Sequence, residues 1–198
     1  MKQKKVLVIS PDVIGEKMAG PGIRYTEVAK QLSKWFSVTL YAPEINGKVT
    51  FPFTTHTYDD LREMQEVVDE YDFIFAQSLT FEIVAVAMRN KVRIIYDMYN
   101  PLPIEALVGN IPTTEEGVIK KDGDYNELLT HLLLYSRSGS YFVCANERQR
   151  DFWIGYLAAN RVFLPSHYKG QSIEKLMGLL PFGMQDTEPK HTKSVLRG

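Results

Sequence analysis

Three stretches of this chain carry residue types able to do chemistry. The first is Gly20-Pro21-Gly22-Ile23-Arg24, which follows the apolar run Lys5-Val6-Leu7-Val8-Ile9-Ser10 and the loop Pro11 to Ala19. A glycine-rich turn between a first strand and a first helix is where α/β sheets hold phosphates. Glycine lets a ligand approach the main chain, and the helix N-terminus adds free N–H groups and a partial positive charge. Gly20 and Gly22 are therefore candidate diphosphate-binding residues. Arg24, on the first helical turn, is the matching cation, because guanidinium suits phosphate. The same residues also read as a tight turn with proline at the first helical position. Gly15 and Gly20 have P-loop spacing, but Pro21 stands where a P-loop needs lysine, and the G-x-G-x-x-G dinucleotide fingerprint is absent. Neither an NTPase nor a standard dehydrogenase is expected.

The second stretch is Asp97-Met98-Tyr99-Asn100-Pro101-Leu102-Pro103-Ile104-Glu105. It gathers two carboxylates, an amide and a phenol at the end of a strand. Such groups suit a polyhydroxyl ligand, since carboxylates accept from sugar hydroxyls and the ring offers a stacking face. The local alternative is that Asp97 caps a turn and Glu105 sits in a first helical turn for dipole reasons. The third stretch, Asn146-Glu147-Arg148-Gln149-Arg150, reads as a capped helix start with solvated charges. Cys144 before it reads as a small buried apolar residue. His56, His131, His167 and His191 show no metal-ligand spacing, so no metal site is expected.

Short apolar runs alternate with helical patterns along the chain. Strands are predicted at Lys5 to Ser10, Ser37 to Tyr41, Phe73 to Ala76, Val92 to Tyr96 and Tyr141 to Ala145, with a short one near Phe51-Pro52-Phe53. Helices are predicted from Gly22 to Lys34, with Val28, Leu32, Trp35 and Phe36 on one face, then from Leu61 to Tyr71, Phe81 to Arg89, around Leu128 to Tyr135, and after Asn146. Residues 109–124 read as a Gly-, Thr- and Glu-rich loop. The repeated order predicts a doubly wound, mostly parallel sheet with helices on both faces. Ligands of such sheets bind at the carboxyl ends of the strands, which is where the first two stretches fall. The expected division is one Rossmann-like domain over 1–184 and a polar linker or tail over 185–198.

The 198 residues, 44% of them hydrophobic, suffice for a sizeable core, and 23 basic against 24 acidic residues leave no bulk electrostatic reason to expect nucleic acid. The lone Cys144 excludes an intramolecular disulfide and fits a reducing compartment. The apolar N-terminal stretch breaks at Ser10-Pro11-Asp12, too early for a signal peptide. A cytoplasmic protein is the expectation.

Together the pieces resemble a known family. "KVLVISPDVIGEKMAGPGIRYTEVAKQLSK" resembles the opening of family 4-type retaining glycosyltransferases of the GT-B fold. "IIYDMYNPLPIE" resembles the D-x-Y-x-P-x-x-x-E segment of a bacterial branch of that class, and "FVCANERQRDFWIGYLAANR" the same branch's C-x-x-x-x-Q-R-D-x-W-x-G-x-L helix. "LPFGM" resembles the turn that ends the N-terminal domain. The resemblance implies one half of a GT-B fold: the acceptor-side domain of an enzyme that moves a sugar from a nucleotide-sugar to a saccharide or lipid-linked acceptor. Placement at the inner membrane face would follow for a lipid-linked acceptor. It implies that Gly20, Gly22 and Arg24 approach the donor diphosphate, that Asp97 stands in the catalytic neighbourhood, and that Tyr99, Asn100 and Glu105 shape the acceptor side. It implies no cofactor beyond the nucleotide-sugar co-substrate, and no metal. The family's second domain, with its E-x7-E motif, is not in this chain. The chain alone is therefore expected to be inactive without a C-terminal domain or partner subunit, and to self-associate through its cleft face. The alternative is a non-catalytic partner or regulatory subunit of a separate glycosyltransferase chain.

Overall fold

The computed structural model describes residues 3–109, 112–168, 172 and 175–183. The tail expected over 185–198, and the last residue of the domain expected over 1–184, lie outside them. Nine strands and six α-helices are described: β1 Lys5–Ile9, β2 Ile14–Gly15, α1 Gly20–Ser33, β3 Ser37–Ala42, β4 Ile45–Asn46, β5 Thr54–Thr57, β6 Phe73–Ala76, α2 Phe81–Arg89, β7 Arg93–Asp97, α3 Leu102–Val108, α4 Glu115–Ser138, β8 Tyr141–Cys144, α5 Glu147–Ala159, α6 Pro165–Tyr168 and β9 Gly178–Leu179.

Seven strands form one sheet in the order β5-β3-β1-β6-β7-β8-β9, and every pairing in it is parallel. The chain thus winds outward from β1 in one direction, then crosses back beside β1 at β6 and winds outward in the other. This is the Rossmann-like order with a reversal between β1 and β6, and it bears out the α/β, mostly parallel sheet read from the sequence. A central parallel strand is buried on both faces and needs apolar residues throughout; Val6-Leu7-Val8-Ile9 are all buried. Alternation then divides them. Leu7, Ile9, Ile74, Ala76, Ile94, Tyr96, Phe142 and Cys144 share one face with side chains of α2, α4 and α5. Val6, Val8, Phe75, Val143 and half-buried Phe73 and Ile95 share the other with Tyr25, Ala29 and Val28 of α1.

The structure differs from the sequence expectation in four places. Residues 115–124 are not a loop: Thr114 accepts from Gly117 N at 3.2 Å and starts α4, a 24-residue helix with Glu115 and Glu116 in its first turn, where acids favour the macrodipole. Leu61 to Tyr71 is not one α-helix but two 3-10 segments, Leu61–Glu66 and Val68–Glu70. The break falls at Val67, whose φ of −116° has left the helical range so that Met64 and Val68 both reach the core. Phe51 and Phe53 stack on each other at 5.3 Å against the α1 side, and the strand begins after them at Thr54. Trp35, expected on the buried face of α1, is 76% exposed, because the helix ends at Ser33 and its periodicity no longer governs the next turn.

Candidate functional site at the carboxyl edge of the sheet

The loop after β1 is bound to the loop after β3. β2 pairs with β4, Ile14 N donates to Glu44 O at 3.0 Å, Lys17 N donates to the Asn46 side chain at 3.0 Å, and Lys48 N donates to Glu16 Oε1 at 3.0 Å. Gly15 holds a φ of +134°, and a Cβ there would lie 1.9 Å from Asn46 O, so only glycine fits this crossing. The loop then delivers the chain to α1. Ala19 places no side chain on the helix start, and the first turn carries no acidic residue. Gly20 is exposed, with open space around the position of a Cβ. Gly22 is not open: a Cβ there would lie 2.1 Å from Val13 O. Its missing side chain lets the preceding loop lie against the helix.

Arg24 does not face solvent. It is 3% exposed, and its Nε and Nη2 donate to the two carboxylate oxygens of Asp97, each at 2.7 Å, while Nη1 donates to Leu180 O at 2.8 Å. The rings of Tyr99 and Phe182 flank the guanidinium at 5.2 and 5.0 Å. Asp97 is fully buried. Burial pushes its carboxyl up, and the two hydrogen bonds from Arg24 oppose that push. The glycine-turn stretch and the Asp97–Glu105 stretch therefore meet at one edge of the sheet, joined by a bidentate ion pair across β6. In this arrangement Arg24 and Asp97 each have a partner inside the protein.

Beside the ion pair lies a second cluster. Gln77, just past β6, donates to Asn100 Oδ1 at 2.8 Å, and Asn100 donates to Glu105 Oε2 at 2.7 Å. Asn100 and Glu105 thus come together, with Tyr99 turned instead towards Arg24. Gln77 lies at the carboxyl end of a strand, where the sequence places the ligands of such a sheet. Two further residues carried no sequence signal. The Tyr25 hydroxyl is buried without a hydrogen-bond partner among the described residues, and burial, then the Asp97 charge, push it well above the usual phenol range. Tyr58 donates to Ser10 O at 2.9 Å, tying the end of β1 to the residue after β5. Among the described residues no group of three or more His, Cys, Asp and Glu could hold a metal ion, and no helix is long and apolar enough to cross a membrane. The Cys144 thiol is buried, and burial pushes it up.

No protein-family model and no curated protein sequence matches the chain. Solved structures do. One is the UDP-N-acetylglucosamine 4-epimerase of Methanobrevibacter ruminantium M1 in complex with UDP-N-acetylmuramic acid, at 12% identity and TM-score 0.41, covering 74% of this chain and 55% of that one. A mutated uronate dehydrogenase gives 15% identity and TM-score 0.41, covering 72% and 58%. The UDP-glucose 4-epimerase of Brucella ovis in complex with NAD gives 11% and 0.42, covering 72% and 51%. The chain spans a little over half the length of these structures.

All three are enzymes by name, and none is a GT-B glycosyltransferase. This corrects the family 4 glycosyltransferase resemblance, the sugar-transfer function drawn from it and its transferase-subunit alternative. The expectation of no cofactor is corrected with them, since one of these structures is a complex with NAD. The resemblance rests on four short segments and their order along the chain, and a Rossmann-like order of elements is shared by sheets of many activities.

Proposed function

We propose that this chain is a nucleotide-cofactor-binding Rossmann-like domain, with a dinucleotide of the NAD type as its ligand. The observation that carries the reading is a coincidence at the reversal between β1 and β6. The start of α1 there has no capping side chain and no acid in its first turn, and Glu44 stands exposed at the carboxyl end of neighbouring β3. In open parallel sheets such a helix start takes the pyrophosphate, and an acid about 20 residues beyond the glycine turn takes the ribose hydroxyls. Gly20 and Gly22 are counterparts of the first two glycines of the usual fingerprint, and Tyr25 stands in place of the third. The open side of Gly20 is where a phosphate would meet main-chain N–H groups. Gly22 holds the loop against the helix. The bound cofactor would supply hydride chemistry; the residues of this chain would bind and orient it.

Asn100 and Glu105 stand at the same edge as hydrogen-bonding groups for the ligand's hydroxyls. The Arg24–Asp97 pair fixes the edge's shape from beneath and does not contact the phosphates.

Calorimetric titration with NAD+, NADP+ and AMP, alongside thermal melts, tests the proposal. NAD+ should bind and raise the melting temperature, and NADP+ should bind less tightly because its 2′-phosphate meets the Glu44 carboxylate. Gly20→Asp should keep the fold, since the site is open and an acid suits a helix start, yet weaken NAD+ binding by about tenfold or more through charge repulsion. Absence of binding at millimolar NAD+, or an unaltered affinity in Gly20→Asp, would overturn the assignment.

A further inference from the structure

The two faces of the sheet are covered unequally. Apolar side chains of α2, α3, α4 and α5 pack on the face that carries Leu7, Ile74 and Ile94. Among the described residues, α1 is the helix whose side chains join the opposite cluster, and it lies over β1 and β3. Among the described residues no further helix lies over β6, β7 and β8 on this face: Phe75 is covered by Tyr25 of α1 and Val143 is 9% exposed, while Phe73 and Ile95 are half-buried and Tyr141 is 38% exposed. A groove of about 1010 Å³ runs there, floored by Phe73, Phe75, Ile95 and Val143 and walled by α1 on one side and Leu180 to Gly183 on the other. A parallel sheet with three strands uncrossed by a helix on one face is rare, because its strands are apolar on both sides.

We infer that this groove is the docking site of an amphipathic α-helix with an acidic flank, supplied by a partner protein. Width argues for a helix. The floor spans three strands at about 4.8 Å spacing, or roughly 10 Å, which is the diameter of a helix with its side chains. Charge argues for the acidic flank. Lys30 and Lys34 lie along the α1 wall, and Lys4 and Arg93 sit over the Phe73 ring at 5.2 and 6.0 Å. Glu27 is the acid of the lining, and Lys30 already holds it at 2.6 Å. Among the described residues Lys34 has the neutral Gln31 amide as its partner, at 2.6 Å. The apolar rim suits the same occupant: Ile23, Tyr141 and Phe182 are 44%, 38% and 46% exposed. The groove reaches the carboxyl edge at Arg24 and Phe182, and its occupant does not depend on the nucleotide reading.

The test uses the full chain and a labelled synthetic peptide of about five helical turns. Leucines on one face and glutamates on both flanks define the probe; a second peptide carries lysines in place of the glutamates. Fluorescence anisotropy should show the acidic peptide binding, with the lysine peptide at least tenfold weaker. Tyr141→Asp, at an exposed rim position, should weaken the acidic peptide by about tenfold at an unchanged melting temperature. Lys34→Glu should weaken the acidic peptide and strengthen the lysine one, a reversal that unfolding cannot produce. Equal binding of the two peptides, no binding at millimolar concentration, or no response to these two variants would overturn the inference. So would light scattering that shows a stable dimer abolished by Tyr141→Asp, which would give the groove to a second copy of the chain.

Discussion

Arg24 and Asp97, 73 positions apart in the chain, form a fully buried bidentate pair. Removing one partner of such a pair leaves an uncompensated buried charge, which costs about 3–5 kcal/mol. Asp97→Asn should therefore lower stability by about 3 kcal/mol in urea unfolding. The double change Arg24→Met with Asp97→Leu should recover a large part of that loss, because it removes both desolvated charges together. Equal losses in the single and double variants would mean that the pair does not act as a unit. Gly22 is the other sensitive residue. With Val13 O only 2.1 Å from a would-be Cβ, Gly22→Ala must displace the loop, and its melting temperature should fall while Gly20→Ala, with open space, stays near wild type. Asp60 offers a pH readout. Its hydrogen bonds from Arg62 lower its carboxyl to about 2. A folded-state value below the unfolded value of about 3.9 makes the contribution present above that value and lost as pH falls towards 2. NMR titration should find the Asp60 midpoint near 2, returning towards the ordinary range in Arg62→Gln.

The ends of the elements show how local chemistry sets their limits. Asn146 accepts from Gln149 N at 3.0 Å and starts α5, as its spacing predicts; the Gln149 side chain answers by accepting from Ala145 N at 2.9 Å. α2 and α5 both close on a left-handed non-glycine residue, Lys91 with φ 60° and Arg161 with φ 59°. Val92 N then reaches back to Ala87 O, and Val162 N to Leu157 O, each at 2.9 Å. The left-handed conformation costs an L-residue roughly 1–2 kcal/mol, and glycine loses part of that advantage to its greater unfolded-state freedom. Lys91→Gly should thus stabilise the protein by about 0.5 kcal/mol, read as a higher midpoint in denaturant. An unchanged or lower midpoint would show that Lys91 makes a compensating contact. α4 is uneven along its length: its buried residues are Leu132, Tyr135 and Ser136, all in the C-terminal half. Amides of 119–127 should exchange with deuterium faster than those of 128–138.

At the scale of the whole molecule, the last described residues close the fold. β9 pairs with β8, Leu180 N donates to Cys144 O at 2.7 Å, Leu180 O accepts from Arg24, and Phe182 covers the guanidinium. The start and end of the described chain are thereby joined at the carboxyl edge. Truncation after Leu179 would strip one hydrogen bond and one ring from Arg24. Its melting temperature should drop by several degrees, since each lost bond to a charged group is worth about 1.5–3 kcal/mol. A truncated chain as stable as the intact one would place the closure of the fold elsewhere.

The alternation of apolar runs with helical periods was enough to determine the sheet class. Buried parallel strands must be apolar on both sides, and Val6-Leu7-Val8-Ile9 and Phe73-Ile74-Phe75-Ala76 say so without any partner in view. The cap at Asn146 and the strand-end placement of Asp97 were equally legible, because both depend on neighbours in the chain. The helix over 115–124 was not, since its two glycines and its acids read as a loop until Thr114 caps it and the rest of α4 anchors it. The fate of the site residues was decided only by tertiary structure. From sequence alone, Arg24 is a cation beside a glycine turn and Asp97 is a strand-end carboxylate that faces a ligand or caps a turn. The sheet order brings them within 2.7 Å, and once charges are out of water their nearest opposite charge governs what they do. The open groove beside α1 belongs to the same category: which face a helix covers is a property of the crossovers between strands, and no local pattern in the sequence records it.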